Sequence, residues 1–162
     1  MQIVPMTEKY LDEAAPLVAA FRVELAGYRG LVRRSDPAAG REEIGEYVSA
    51  GWPVFAAMEG EQMVGYAVCR VDAPTVWLES IYVRPDFRGK GVADALFERA
   101  EEIAHGYGEN TMFNYVHPNN SRMIAFLKRK GYTVLNLIEI RKPYPGETTG
   151  TKISVGENTF DY

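Results

Sequence analysis

The stretch over residues 80–93 constrains the fold more than any other part of the chain. It continues an apolar, β-branched run over residues 76–83 that predicts a buried strand. Pro85 ends that strand, because proline has no N–H to donate to a sheet. Residues 88–91 then predict a glycine turn, and from Val92 onward apolar residues recur at helical spacing. The stretch is therefore predicted to be a strand, a tight turn and a helix.

This order of elements creates a potential anion-binding site. The first N–H groups of a helix have no partner within the helix, and the helix dipole makes that end attractive to negative charge. Gly89 and Gly91 let the backbone approach a phosphate without an intervening Cβ, while Arg88 and Lys90 add positive charge. An ordinary strand–helix connection explains the two glycines equally well, and the third glycine of a dinucleotide fingerprint is missing.

The longer pattern around the turn is more specific. Val83-x-Pro85-x-x-Arg88-Gly89-x-Gly91-x-Ala93 resembles the acyl-CoA signature of the GNAT superfamily of N-acetyltransferases. Residues 120–132 are similar to the last helix of that family and the Gly-aromatic turn that follows it. The two motifs together cover about a third of the chain.

Length and composition exclude several other classes of protein. The 162 residues suit one domain, 1–162, with a sizeable core. A net charge of −4 without a polybasic run argues against nucleic-acid binding, and no apolar stretch approaches the ~20 residues of a membrane span. Cys69 is the only cysteine and is predicted to be a buried strand residue. We therefore expect a cytoplasmic protein without a metal site.

Patterns along the rest of the chain predict the order β-α-α-β-β-β-α-β-α-β-β. The first helix is expected from Thr7 and the second from Ser35 or Asp36. A sixth strand is expected over residues 133–141, and a final one over 152–155, with 159–162 as a further candidate. The resemblance implies an α/β fold with a twisted mixed sheet of about seven strands and helices on both faces. It also implies that strands four and five run parallel and splay apart, with acetyl-CoA in the gap.

The resemblance implies a set of cofactor contacts as well. The backbone N–H groups of the glycine turn would hold the pyrophosphate, and one N–H of the fourth strand would polarise the thioester carbonyl. The matching positions are Ile81, Val83, Arg88, Gly89, Lys90, Gly91, Val92, Ala93, Asn120 and Phe126. For Asn120 a helix N-cap is the alternative, and for Phe126 a core aromatic at helical spacing.

Glu79 is the candidate general base. A carboxylate in the middle of an apolar strand is costly unless it is paired or functional. Strand alternation places it on the same face as Ile81 and Val83. The run over residues 78–83 is similar to the stretch of polyamine acetyltransferases that carries their proposed base. The alternative is an ion pair, or a solvent-facing position at the edge of the cleft.

One feature of the family is missing. Many members carry a tyrosine that protonates the departing thiolate, and the matching position is Leu127. Tyr82, Tyr115 and Tyr132 are possible substitutes, although none matches the motif. His117 lies where an acceptor could enter, and it is equally well a surface residue ahead of Pro118.

These features predict an acetyl-CoA-dependent N-acetyltransferase that acts by direct attack in a ternary complex. The expected acceptor is a primary amine on a small molecule; a peptide or protein amine is the second candidate. An acyl-CoA-binding module with little catalysis is the rival, favoured by Leu127. The resemblance places acceptor contacts in residues 28–35, a basic and aromatic segment that suits an acidic acceptor, and in residues 142–150. Apolar residues beyond Arg141 make a homodimer possible.

Overall fold

A computed structural model describes all residues from 1 to 162. The chain divides into two compact units, Met1–Phe126 and Leu127–Tyr162. No helix in the chain is both long enough and apolar enough to cross a membrane. No group of three His, Cys, Asp or Glu side chains is arranged to hold a metal ion.

The first unit is built on a five-stranded sheet in the order β1-β2-β3-β4-β5. The strands are β1 Gln2–Pro5, β2 Val54–Glu59, β3 Gln62–Asp72, β4 Thr75–Val83 and β5 Phe113–Asn114. The first four strands pair antiparallel, whereas β5 runs parallel to β4. Strands β2, β3 and β4 therefore form an antiparallel meander, and β5 is only 2 residues long.

Four helices accompany the strands: α1 Leu11–Tyr28, α2 Pro37–Ser49, α3 Val92–Gly106 and α4 Ser121–Arg129. Asp36 caps α2, because its side chain accepts a hydrogen bond of 3.1 Å from the N–H of Ala39. Thr7 precedes a short 3₁₀ turn, Glu8–Tyr10, and its side chain makes no capping bond. Of the two residues predicted to cap α2, Ser35 and Asp36, the structure shows Asp36 in that role, while the cap predicted at Thr7 is wrong.

Helices cover both faces of the sheet. On one face α1 and α2 contribute Val18 and Ile44 to a core that includes Tyr66, Val68 and Tyr82 from β3 and β4. The two helices approach closely at Gly40, where a Cβ would lie 2.5 Å from the carbonyl oxygen of Ala15. On the other face α3 packs against β3 and β4 with Leu96 and Phe97, both fully buried. The α/β class and the two helical layers agree with the prediction.

The second unit contains a two-stranded antiparallel hairpin formed by β6 Lys152–Val155 and β7 Asn158–Asp161. The strand predicted over residues 133–141 is not formed, which corrects the expectation of about seven strands in one sheet. Five apolar side chains in this segment are 43–86% exposed: Val134, Leu135, Leu137, Ile138 and Ile140. The apolar pattern identifies a segment able to form a strand, but a strand also needs a partner for its N–H and C=O groups.

Candidate functional site

The candidate site lies where β4 and β5 separate. The two strands pair only at Trp77 with Phe113 and at Leu78 with Asn114. Beyond these pairs β5 ends, while β4 continues to Val83. Two parallel strands that pair briefly and then part leave a gap between their carboxyl ends, which is where α/β sheets bind ligands. This is the predicted splay of strands four and five.

Glu79 lies at a β-bulge in β4. On β3 the neighbours Val68 and Cys69 pair with Ser80 and Leu78, so Glu79 is the extra residue between two pairs. A bulged residue leaves the regular ladder and its side chain is re-aimed. Glu79 therefore lies at the one irregular point of β4, next to its last pair with β5.

The bulge places the Glu79 side chain on the face of the sheet that carries α1 and α2. Its Oε2 atom is 3.7 Å from Nε of Arg70, and Glu79 also acts electrostatically on Tyr47 of α2. Val83 faces α3 instead, since a Cβ on Gly65 would contact both Val83 and Leu96. The prediction that Glu79, Ile81 and Val83 share one face is therefore wrong, because strict alternation holds only without a bulge.

The surroundings of Glu79 combine an ion pair with access to water. The guanidinium of Arg70 is 4.5 Å from the ring centroid of Trp77, and the Glu79 side chain keeps 31% of its exposure. Arg70 Nε is buried and has no hydrogen-bond partner, because 3.7 Å exceeds hydrogen-bond length. The carboxylate thus lies beside a cation and remains accessible to solvent.

The glycine turn has the geometry that an anion needs. Gly89 and Gly91 have φ values of 74° and 82°, and a Cβ on either would meet nothing within 4 Å. The first α3 bond that follows the turn runs from Ala95 N to Gly91 O at 3.0 Å. The N–H groups of Val92 and Ala93 precede that bond and have no acceptor within the helix. The open space beside Gly89 and Gly91, next to these N–H groups, leaves room for a phosphate.

The two basic side chains of the glycine turn, Arg88 and Lys90, make different contacts. Arg88 donates through Nε to the carbonyl of Val83 at 2.8 Å and through Nη2 to Glu24 at 2.5 Å. Its side chain therefore anchors the turn to α1 and β4, and its backbone N–H donates to the carbonyl of Pro85 at 3.3 Å. The ammonium of Lys90 lies 4.9 Å from the ring centroid of Phe87, at the exposed edge of the turn.

Asn120 and Phe126 both show the structural role that was the alternative for each. The Asn120 side-chain oxygen accepts a 3.0 Å hydrogen bond from the N–H of Met123, so Asn120 caps α4. This bond occupies the oxygen and leaves the amide donors of Asn120 for another partner. Phe126 is 7% exposed and packs edge-to-face on Phe97 with 5.2 Å between ring centroids.

The aromatic and titratable candidates occupy different surroundings. Tyr82 is buried beneath α1 against Phe21, and burial raises the pKa of its hydroxyl. Tyr115 is 59% exposed beyond the end of β5, and Leu127 is buried. Tyr132 belongs to the second unit, where its N–H donates to Leu127 O. Cys69 is buried as predicted, and burial raises the pKa of its thiol to about 12.

His117 follows β5 at the open end of the gap. Its ring stacks on Tyr28 of α1 with 6.2 Å between centroids, and its Nδ1 accepts a 3.2 Å bond from the N–H of Asn119. Burial, and then the nearby charge of Arg29, lower the pKa of His117. The end of α1 and the segment after β5 are therefore in contact beside the candidate site.

Two further residues escaped the sequence-based prediction. Glu24 binds both Arg88 and Arg122, and so ties the glycine turn and α4 to α1. Asn114 pairs with Leu78 at the point of splay; its amide nitrogen lies 3.4 Å from Met112 O, and its buried Oδ1 has no hydrogen-bond partner. The sequence gives little indication of either role. Glu24 is one of several polar residues in α1, and Asn114 is distinguished only because it interrupts an apolar run.

Comparison with known proteins gives consistent results. The model of the family described as Acetyltransferase (GNAT) matches residues 21–132. Peptidyl-lysine N-acetyltransferase YjaB of Salmonella typhimurium is 23% identical over 137 residues, which are 83% of this chain and 88% of the relative. A variant of the BH1408 protein from Bacillus halodurans superposes with a TM-score of 0.75 at 20% identity, over 89% of this chain and 99% of that one. The aminoglycoside acetyltransferase AAC(6')-Iy, in complex with a CoA-based bisubstrate analogue, gives 0.67 at 23% identity, over 88% and 98%.

Proposed function

Because the chain belongs to the GNAT family of N-acetyltransferases, we propose that it transfers the acetyl group of acetyl-CoA directly to a primary amine within a ternary complex. The acceptor in this proposal is a small molecule. The observation that supports it most strongly is the glycine turn, whose open N–H groups lead from the end of β4 into α3 beside the gap between β4 and β5.

The turn residues Arg88, Gly89, Lys90, Gly91, Val92 and Ala93 are proposed to hold the pyrophosphate, chiefly through backbone N–H groups. Ile81 and Val83 offer backbone N–H groups on β4 for the carbonyl oxygen that becomes negative during transfer. Asn120 can donate from its free amide hydrogens, and Phe126 packs on Phe97 of α3 in the core. When bound, acetyl-CoA supplies an activated thioester.

Glu79 is proposed to receive the proton of the acceptor amine, directly or through a water molecule. A primary ammonium must be deprotonated before it can attack, and a positioned carboxylate with solvent access can accept that proton.

A protein acceptor is the second candidate. The relative YjaB is named as a peptidyl-lysine N-acetyltransferase and aligns over most of both chains, which supports a lysine side chain as substrate. The other candidate, an acyl-CoA-binding module with little catalysis, is favoured by Leu127, whose side chain has no proton to give a thiolate. The single domain over residues 1–162, the cytoplasmic location and the homodimer remain predictions.

The test measures binding and turnover separately. Acetyl-CoA at ~100 times its Kd should stabilise the folded protein by roughly 2–3 kcal/mol, read as a rise in melting temperature. Thiol release is then followed with small amines and with lysine-containing peptides. Turnover of small amines supports the proposal, turnover of peptides alone supports the second candidate, and stabilisation without any turnover supports the binding module. No stabilisation by acetyl-CoA would refute all three.

A further inference from the structure

The sequence contains 12 arginines, and their partners separate them into two groups. Eight are paired with a carboxylate: Arg22, Arg41, Arg70, Arg84, Arg88, Arg99, Arg122 and Arg141. Arg129 also has an interaction partner. The remaining three, Arg29, Arg33 and Arg34, have no carboxylate partner, and all lie in the short loop between α1 and α2.

The loop has no internal compensation for this charge. Residues 25–35 contain three arginines and no acidic residue, although the whole chain has a net charge of −4. The first acidic residue beyond the loop is Asp36, whose side chain is occupied in capping α2. All three arginines are exposed, so their guanidinium groups can each make paired hydrogen bonds to an anion.

The start of the loop adjoins the proposed site. Tyr28, the last residue of α1, stacks on His117 and accepts a 2.9 Å hydrogen bond from Asn119 at its carbonyl. Arg29 is close enough to His117 to lower its pKa. His117 follows β5, which borders the gap, so the uncompensated charge begins at the open end of the gap.

From this placement we propose that the loop arginines bind an anionic group of the acceptor, which is therefore an amine that also carries a carboxylate or a phosphate. This inference rests on the proposed acetyl transfer. The gap would receive the amine, while Arg33 and Arg34, with Arg29 nearer the gap, would hold the anion. A field of one sign beside the entrance would also draw anionic acceptors toward it.

The test uses matched acceptors and matched variants. The acceptors are ω-amino carboxylates of increasing length, each with its neutral carboxamide, and phosphoethanolamine with ethanolamine. The test variant is Arg33→Gln with Arg34→Gln. The control is Arg41→Gln with Arg99→Gln, which removes the same charge from exposed ion pairs on α2 and α3. Acetyl-CoA affinity is measured for every protein.

We expect the wild type to prefer a carboxylate or phosphate over its neutral analogue. The loop variant should lose at least about 10-fold in kcat/KM for the anionic acceptor and less than about 2-fold for the neutral one, since charge-assisted hydrogen bonds are lost only in the first case. Added salt should reduce the preference in the wild type. The control should behave as the wild type.

Other results would overturn the inference. Equal turnover of carboxylate and carboxamide, unchanged in the loop variant, would refute it and leave acetyl transfer intact. A loss of acetyl-CoA affinity in the loop variant would assign the arginines to the phosphates of the cofactor instead. If no amine is acetylated, the proposed function fails. The anion site is then tested by calorimetric titration of the amino carboxylates in the presence of CoA. Saturable binding that is abolished in the loop variant supports the anion site, and the absence of binding refutes it.

Discussion

Glu79 is a charged residue at the bulge in β4, and it is the proposed base of the reaction. A primary amine has a reference pKa near 10.4, so making it neutral at pH 7 costs on the order of 4–5 kcal/mol. If Glu79 accepts that proton, Glu79→Gln keeps the shape of the side chain and removes the base. We expect kcat/KM to fall at least ~10-fold at neutral pH, toward the low end of general-base effects because water can partly substitute.

The pH profile separates a base from a structural carboxylate. The deficit of Glu79→Gln should shrink as the pH rises, because more of the amine is then neutral without help. Glu46→Gln, at an exposed position of α2, is the matched control and should match the wild type. Full activity of Glu79→Gln at neutral pH would restrict Glu79 to its ion pair with Arg70 and leave the base unassigned.

His117 gives a second test at this scale, based on stability. Its pKa in the folded protein lies below the usual 6.5, since burial and Arg29 disfavour the imidazolium. Between the two pKa values the unfolded chain binds a proton that the folded chain does not, so this contribution to stability rises with pH and is lost on acidification. Protonation of Nδ1 would also remove the hydrogen bond from Asn119.

Replacing the imidazole should therefore make stability less dependent on pH. We expect the melting temperature of His117→Asn relative to wild type to be higher at about pH 5 than at about pH 7.5. The same comparison for His105→Asn, at the exposed end of α3, serves as control. A constant difference between His117→Asn and wild type at both pH values would contradict this account.

At the scale of secondary-structure elements, a substitution in the glycine turn tests the proposed binding of acetyl-CoA. Gly91→Val adds a branched side chain at the residue that precedes the first N–H groups of α3, so acetyl-CoA binding should weaken strongly. The positive φ also makes the substitution strained, by about 1–3 kcal/mol. Gly51→Val carries the same strain at a φ of 74°, in equally open space at the end of α2. Both variants should lose stability, but only Gly91→Val should lose affinity in a calorimetric titration; unchanged affinity would place the phosphate elsewhere.

Elements whose ends are fixed by local residues, such as a helix cap or a glycine turn, could be predicted from the sequence. Features that depend on the pairing between strands could not. Asp36 with Pro37 fixes the start of α2, and the glycines fix the turn before α3, because each determines local backbone geometry. The bulge at Glu79 has no such signal, since it depends on the register between β3 and β4. Alternation along β4 therefore predicts the strand correctly but places the Glu79 side chain on the wrong face.

At the scale of the whole molecule, dependence on strand pairing also explains why the segment over residues 133–141 does not form the predicted strand. Its apolar pattern predicts a strand, yet strand formation requires a partner that the pattern does not name. Val134, Leu135, Leu137, Ile138 and Ile140 are left exposed within one short segment. Scattered apolar residues are normal on a surface, whereas contiguous ones mark interaction sites. The arrangement of paired and unpaired arginines was equally hidden, because it depends on which side chains meet in the fold.

These five side chains lead to the last prediction, a homodimer in which residues 133–141 of one chain are covered by a second copy. Burying each large apolar side chain contributes about 1.5–3 kcal/mol, so a few of them can support association at micromolar concentration. Val134→Glu with Ile140→Glu should shift sedimentation equilibrium from dimer to monomer. Both side chains are exposed in the single chain, so the melting temperature of the monomer should not fall. Tyr107→Glu, at an isolated exposed aromatic after α3, should leave the dimer intact. A wild-type protein that stays monomeric from micromolar to millimolar concentration would rule the dimer out.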